Sequence, residues 1–172
     1  MFSFLAMQKT KRFLFASLVF VLLTGFFTGC GSDSDNGAVD NLLPNGLLGR
    51  WVSEWDGYEI SRYQGVERIV YISPDFPAFN FEGIIRHVNT ITATAGIIIF
   101  EFTVNVPDPD RRFSAAAYLE LTSASVELSN AFDPIAGLQP LAATLEEAVA
   151  RFTAGTVGNY FGFFGEYTRE NQ

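Results

Sequence analysis

Sulfur and imidazole are nearly missing from this chain of 172 residues, which holds one cysteine, Cys30, and one histidine, His87. A single cysteine excludes an intrachain disulfide, even in an oxidising compartment. One cysteine and one histidine also exclude Cys/His zinc clusters, which need several such ligands. Lysine is scarce too. Lys9 and Lys11 are the only two, so every cation from Arg12 onward is an arginine. Acids outnumber bases 19 to 11, for a net charge of −8. That balance argues against nucleic acid, and against anionic headgroups bound by charge.

The amino end carries an address. Lys9, Lys11 and Arg12 precede FLFASLVFVLLTGFFTG, residues 13–29, which hold no charge. A positive region followed by an apolar run is the layout of a secretory signal, though a short membrane-spanning helix has a similar length. The ending decides. Thr28 and Gly29 place small residues before Cys30, and the polar tract GSDSDNG follows. This ending resembles the lipobox of bacterial lipoproteins, with Phe27 where leucine is usual. The resemblance implies that residues 1–29 are a signal removed before Cys30, that the Cys30 thiol takes a diacylglycerol, and that the new amine is acylated. Several acyl chains, at about 0.8 kcal/mol per buried methylene, hold a protein stably where one does not. The membrane is then a partner through the lipid on Cys30. Gly31 and Ser32 lack the aspartate that retains some lipoproteins at the inner membrane, which favours the outer membrane of a cell envelope. Met7 opens MQKTKR, an ordinary signal start, so translation is expected to begin there, with residues 1–6 an artefact of gene calling.

Loss of the signal leaves eight arginines against 19 acids. Residues 30–46 are rich in Gly, Asp, Asn and Ser, and read as a lipid-anchored flexible tether. As a coil it reaches about 20–25 Å. Residues 47–172 suffice for one domain, which must rest on its hydrophobic core.

That domain divides into short apolar runs at 50–55, 58–63, 66–72, 81–88, 97–106, 113–121, 124–131 and 160–167. Asp56-Gly57 marks a two-residue hairpin. Residues Ile98, Phe100, Phe102, Val104 and Val106 alternate with Glu101, Thr103 and Asn105, the period of a strand with one wet face. Residues 144–154 differ, placing Leu145, Ala148, Val149 and Phe152 on one helical stripe. Thr144 and Glu147 suit a capping box, and Gly155 a left-handed stop. The expectation is a mainly β fold, an eight-stranded antiparallel meander barrel with one helix before the last strand.

Gly49-Arg50-Trp51 at the first strand resembles the Gly-x-Trp corner of lipocalin and calycin barrels. A lipocalin-like barrel implies that Gly49, Trp51 and Arg169 form the closure, the Arg169 guanidinium stacking on Trp51. A helix ahead of the last strand departs from that pattern. The opening WVSEWDGYEI and the close TLEEAVARFTAGTVGNYF also resemble a group of spirochaete lipoproteins.

Residues with chemical potential have plain structural readings. His87 shares parity with Phe81 and Ile85, which suits an inward, hydrogen-bonded histidine. Glu54 and Asp56 flank Trp55, a pattern compatible with a carbohydrate site, though strand ends commonly carry solvated acids. Asp108 and Asp110 lack calcium-loop spacing and suit a charged turn. Gly155, Gly158 and Gly162 do not form a phosphate loop. No catalytic residue, metal site or cofactor is implied. Two functions stay open: a filled scaffold whose loops contact a protein partner, and a carrier of a small apolar ligand. A cavity for the second would be lined by Phe100, Phe102, Ala115, Ala117, Val126 and Leu128, with the two alanines facing inward.

Overall fold

The computed structural model describes residues 42–170. Cys30, the signal and most of the tether lie outside them.

Eight antiparallel strands close into a barrel, each paired with its sequence neighbours and the last with the first. They are β1 (Gly49–Val52), β2 (Gly57–Tyr63), β3 (Val66–Ile72), β4 (Phe81–Thr92), β5 (Ala95–Val104), β6 (Phe113–Leu119), β7 (Ser125–Asn130) and β8 (Gly165–Arg169). Closure runs through Trp51 opposite Arg169 and Val52 opposite Thr168. It leaves no sheet edge to pair with another chain. Up-and-down connectivity sends the β2–β3, β4–β5 and β6–β7 turns to one end. The 3-10 turn Asn45–Leu47, just before β1, lies there too; this is the strap end. The other four connections form the opposite rim, and the long β7–β8 connection carries two short helices, α1 (Leu145–Arg151) and α2 (Val157–Tyr160).

Alternation along the strands builds two apolar clusters. Trp51, Tyr58, Ile60, Ile69, Phe81, Ile98, Phe100, Phe102, Ala116, Tyr118, Val126, Leu128 and Tyr167 form the barrel interior. Ile97, Ile99, Ala115 and Ala117 point the other way, under Ala148, Phe152 and Phe161. β5 is therefore buried on both faces for much of its length, where the pattern predicts one wet face. The helix α1 supplies the cover. Its stripe of Leu145, Ala148, Val149 and Phe152 packs there as the spacing predicts.

The Thr144 hydroxyl caps α1 by accepting from the Glu147 N–H. The Glu147 carboxylate reaches the N–H of Ala143 rather than that of Thr144, so the reciprocal half of the box is displaced by one residue. The helix stops at Phe152, whose backbone leaves the helical range at φ −99° and ψ 82° and whose carbonyl accepts from Asn89 on β4. Gly155 belongs to the following 3-10 turn, Ala154–Thr156, and is not a left-handed stop.

Four local readings change. Gly57 already pairs with Val52, so the first hairpin has a four-residue loop, 53–56. The two-residue turn with positive φ is Gln64-Gly65, at +50° and +77°, between the paired Tyr63 and Val66. Such a turn matches the right-handed twist of the strands it joins. A register shift lets Glu82 pair with Val104 while Gly83 pairs with Phe102, which turns Val104 outward, 47% exposed. The last strand begins at Gly165 because Val157–Tyr160 is helical and Phe161 packs under α1's cluster. An aromatic run without alternation does not distinguish these uses.

Candidate functional site

At the strap end, Trp51 is wholly buried and its indole N–H donates to the Leu47 carbonyl at 2.8 Å. The Arg169 guanidinium carbon stands 4.3 Å from the Trp51 ring centroid. The same guanidinium donates to the carbonyls of Leu48 and Gly46, and through Nε to Ser123. Gly49 has φ +140°, and a Cβ there would lie 2.6 Å from Arg169 Nη1. Both backbone and space thus demand glycine. Gly49, Trp51 and Arg169 meet in one corner, as the Gly-x-Trp resemblance implies. Nearby, the buried Glu67 carboxylate accepts from Arg62 Nε at 2.8 Å, and Arg62 Nη2 also reaches the Leu43 carbonyl. Both corners fasten the entering chain to the barrel.

The interior is occupied by side chains. Six rings form a continuous series from Tyr167 through Tyr58, Tyr71, Phe81 and Phe100 to Phe102, each centroid 4.9–5.6 Å from the next. Small inward residues make room for large ones. A Cβ on Gly83 would lie 2.7 Å from the Phe100 ring, and one on Gly96 would lie 2.6 Å from the Tyr118 hydroxyl. Phe100, Phe102, Val126 and Leu128 line this interior as expected. Ala115 and Ala117 do not. The register sets them opposite Ile99 and Ile97, beneath α1, and leaves Ala116 as the inward alanine. The hollow expected beside them is where the helix lies against the wall.

His87 is also turned round. A register shift between Ile85 and His87 sets it opposite Ile99, on the outer face. There it is half-buried and bonded to the Asn89 side chain at 2.9 Å. Asp108 accepts from the Asp110 N–H and from Arg111 Nε, a charged turn whose Arg111 hydrogen bond holds the Asp108 carboxyl below the usual range. Gly158 and Gly162 face open space. Among the described residues, no three His, Cys, Asp or Glu side chains gather as metal ligands.

The rim loop 53–56 holds the most organised polar group. The Ser53 hydroxyl donates to Asp56 Oδ1 at 2.6 Å and accepts from the N–H groups of Trp55 and Asp56. Asp56 Oδ2 accepts from the Tyr71 hydroxyl at 2.7 Å. Tyr167 and Tyr58 complete the cluster, with ring centroids 5.2 Å apart. Burial is the main reason that all three hydroxyls titrate well above the usual tyrosine range, and the Asp56 carboxylate raises them further. Both Asp56 oxygens are thus engaged by the fold while Glu54 is exposed, so the two acids do not converge as a catalytic pair. Trp55, between them, is 66% exposed. A depression of about 180 Å³ lies against the loop, lined by Arg50, Glu54, Trp55, Asp56, Ile72 and Pro74 among others. Sequence reasoning found Glu54, Trp55 and Asp56, but not the tyrosines that hold the loop. Tyr71 and Tyr167 carry no motif: the β2–β3 pairing brings Tyr71 to Asp56, and barrel closure between β1 and β8 brings Tyr167.

No protein-family model matches the chain, and neither a curated protein nor a solved structure matches it.

Proposed function

We propose that the chain is a non-enzymatic lipoprotein of a bacterial cell envelope, anchored through Cys30 and contacting other molecules with its rim loops. The observation that carries this reading is how apolar surface is divided. Inside the barrel, Phe81, Phe100, Phe102 and Tyr118 occupy the space that a carrier of an apolar ligand would need. Outside, Trp55, Phe76, Phe79, Ile135, Leu138 and Phe163 are exposed in the rim connections. Exposed apolar residues in loops on a rigid frame suit an interaction surface.

The chain enters this domain at Leu42 and the Asn45–Leu47 turn, on the strap end. The basic start, the apolar run and Thr28-Gly29-Cys30 support the anchor, and Gly31-Ser32 favours the outer membrane.

Metabolic labelling with an alkyne fatty acid tests the anchor. The parent chain should take the label and partition into detergent, and Cys30→Ser should do neither. A labelled Cys30→Ser chain would refute it.

A further inference from the structure

We propose that the depression beside Trp55 is a binding subsite for a single neutral pyranose ring. This inference rests on the reading of the rim as a contact surface and names a ligand class for one part of it.

The exposure of Trp55 is set by structure rather than by a slack loop. Ser53 and Asp56 close the loop with side-chain hydrogen bonds, and Tyr71 ties Asp56 to the barrel mouth. An indole is the largest apolar side chain, and its burial usually contributes to core and interface stability. Here a well-held loop presents it to solvent, 66% exposed. That is the arrangement of a preformed contact.

The depression itself narrows the ligand. At about 180 Å³ it is small beside the roughly 300–1,000 Å³ that encloses a drug-sized molecule. It suits one ring. Its walls are apolar at Val52, Trp55, Ile72 and Pro74, and charged at Glu54 and at Arg50, which keeps further N–H donors beyond the Nη1 it pairs with Glu170 Oε2 at 2.8 Å. Arg offers only donors and an ionised Glu only acceptors, so a ligand edge meeting both must donate and accept. Hydroxyl groups do both. A pyranose combines a C–H face for the indole with a hydroxyl edge for Arg50 and Glu54. With the Arg50 charge matched by Glu170, Glu54 and Asp56 leave an excess of negative charge, which disfavours acidic or phosphorylated sugars.

Peptide ligands fit less well. The closed barrel has no free edge for an added strand. A proline-rich segment needs a groove of several exposed rings, whereas of the two rings lining this depression Tyr58 is buried, and the exposed Phe76 and Phe79 are not among its lining residues.

The test uses the full-length chain in a detergent without a sugar headgroup, titrated with methyl glycosides of glucose, galactose, mannose and N-acetylglucosamine. The readout is the indole N–H cross-peak of Trp55 in a nitrogen–proton correlation spectrum, assigned by its loss in Trp55→Phe. Trp51, wholly buried with its indole N–H held by the Leu47 carbonyl, is the internal control. At least one glycoside should move the Trp55 peak saturably in the millimolar range and leave Trp51 unmoved. Saturation transfer to that glycoside should vanish in Trp55→Ala, and Glu54→Gln should weaken binding about tenfold. Both variants change exposed side chains, so the remaining spectrum should be preserved. The proposal is overturned if no glycoside moves Trp55, or if transfer persists in Trp55→Ala. A lysine-rich peptide that moves Trp55 where every glycoside fails would also overturn it, and assign the loop to a polypeptide. None of these readouts depends on the lipid, so failure here and failure of the Cys30 labelling are separate results.

Discussion

Arg169 lies across the buried face of Trp51, its guanidinium carbon 4.3 Å from the ring centroid, while its N–H groups hold the carbonyls of Gly46 and Leu48. One side chain from the last strand thereby joins the first strand to the segment that precedes it. The cation–π part of this contact contributes about 0.5–2 kcal/mol, depending on burial. A double-mutant cycle of Arg169→Ala with Trp51→Leu, read by urea denaturation, should report coupling of that order. Arg169→Ala should destabilise the domain even with Trp51 replaced, because the three carbonyl contacts are lost as well. Zero coupling would remove the closure account.

Gly49 gives a sharper test of the same corner. At φ +140°, with Arg169 Nη1 2.6 Å from a new Cβ, Gly49→Ala combines backbone strain with displacement of the guanidinium. The cost should be about 1–3 kcal/mol from the strained conformation. It should be smaller in an Arg169→Ala background, where the steric part disappears. Denaturation of the two single variants and the double variant checks this.

Alkaline pH should unfold the domain through its tyrosines. Tyr58, Tyr71, Tyr118 and Tyr167 all have folded values raised above the ordinary tyrosine value of 10.0, chiefly by burial. The unfolded chain therefore ionises these groups first. Their contribution to stability is complete below about pH 10 and falls as pH rises from there toward the folded values. Tyrosinate absorbance from these four should appear together with loss of circular dichroism in the near ultraviolet. Ionisation of all four in a chain that stays folded would contradict their placement.

Asp56→Asn should loosen the rim loop without collapsing the barrel. The new carboxamide oxygen can still accept from one hydroxyl, but the charge that strengthens the Tyr71 and Ser53 bonds is gone. Hydrogen bonds to charged groups are worth about 1.5–3 kcal/mol, so a loss of about 1 kcal/mol is expected. Amide exchange should rise in the 53–56 loop and remain unchanged in β5 and β6. Unchanged exchange in the loop would show that Asp56 does not hold it.

The fold was legible where one physical rule acted alone. β3 and α1 have clean patterns, and Thr144 is a cap with a helical stripe behind it. Trp51 and Arg169 were linked by a short motif together with the position of the last strand. Other features needed the paired strand. Ala115, Ala116 and Ala117 have no internal pattern, so their facing is set by register against Ile99, Ile98 and Ile97. The shifts beside His87 and Val104 reverse parity within strands that otherwise alternate. Gly83 and Gly96 read as weak points in strands until Phe100 and Tyr118 are seen to lie over them. Asp56 was visible as an acid beside Trp55, but Tyr71 comes to it only through the register of β2 with β3, and Tyr167 only through closure of the barrel.

Ala116→Phe tests most directly whether the barrel is a filled scaffold whose function belongs to its rim. Ala116 is the inward alanine, wholly buried between Ile98 and the chain of β7 at Asn130. Stability by urea denaturation and uptake of an apolar fluorescent dye are measured on the parent and the variant. A filled interior predicts a loss of about 1–3 kcal/mol from overpacking, with no dye uptake by either chain. Unchanged stability, with uptake by the parent that the variant abolishes, would contradict the account and make the barrel a carrier.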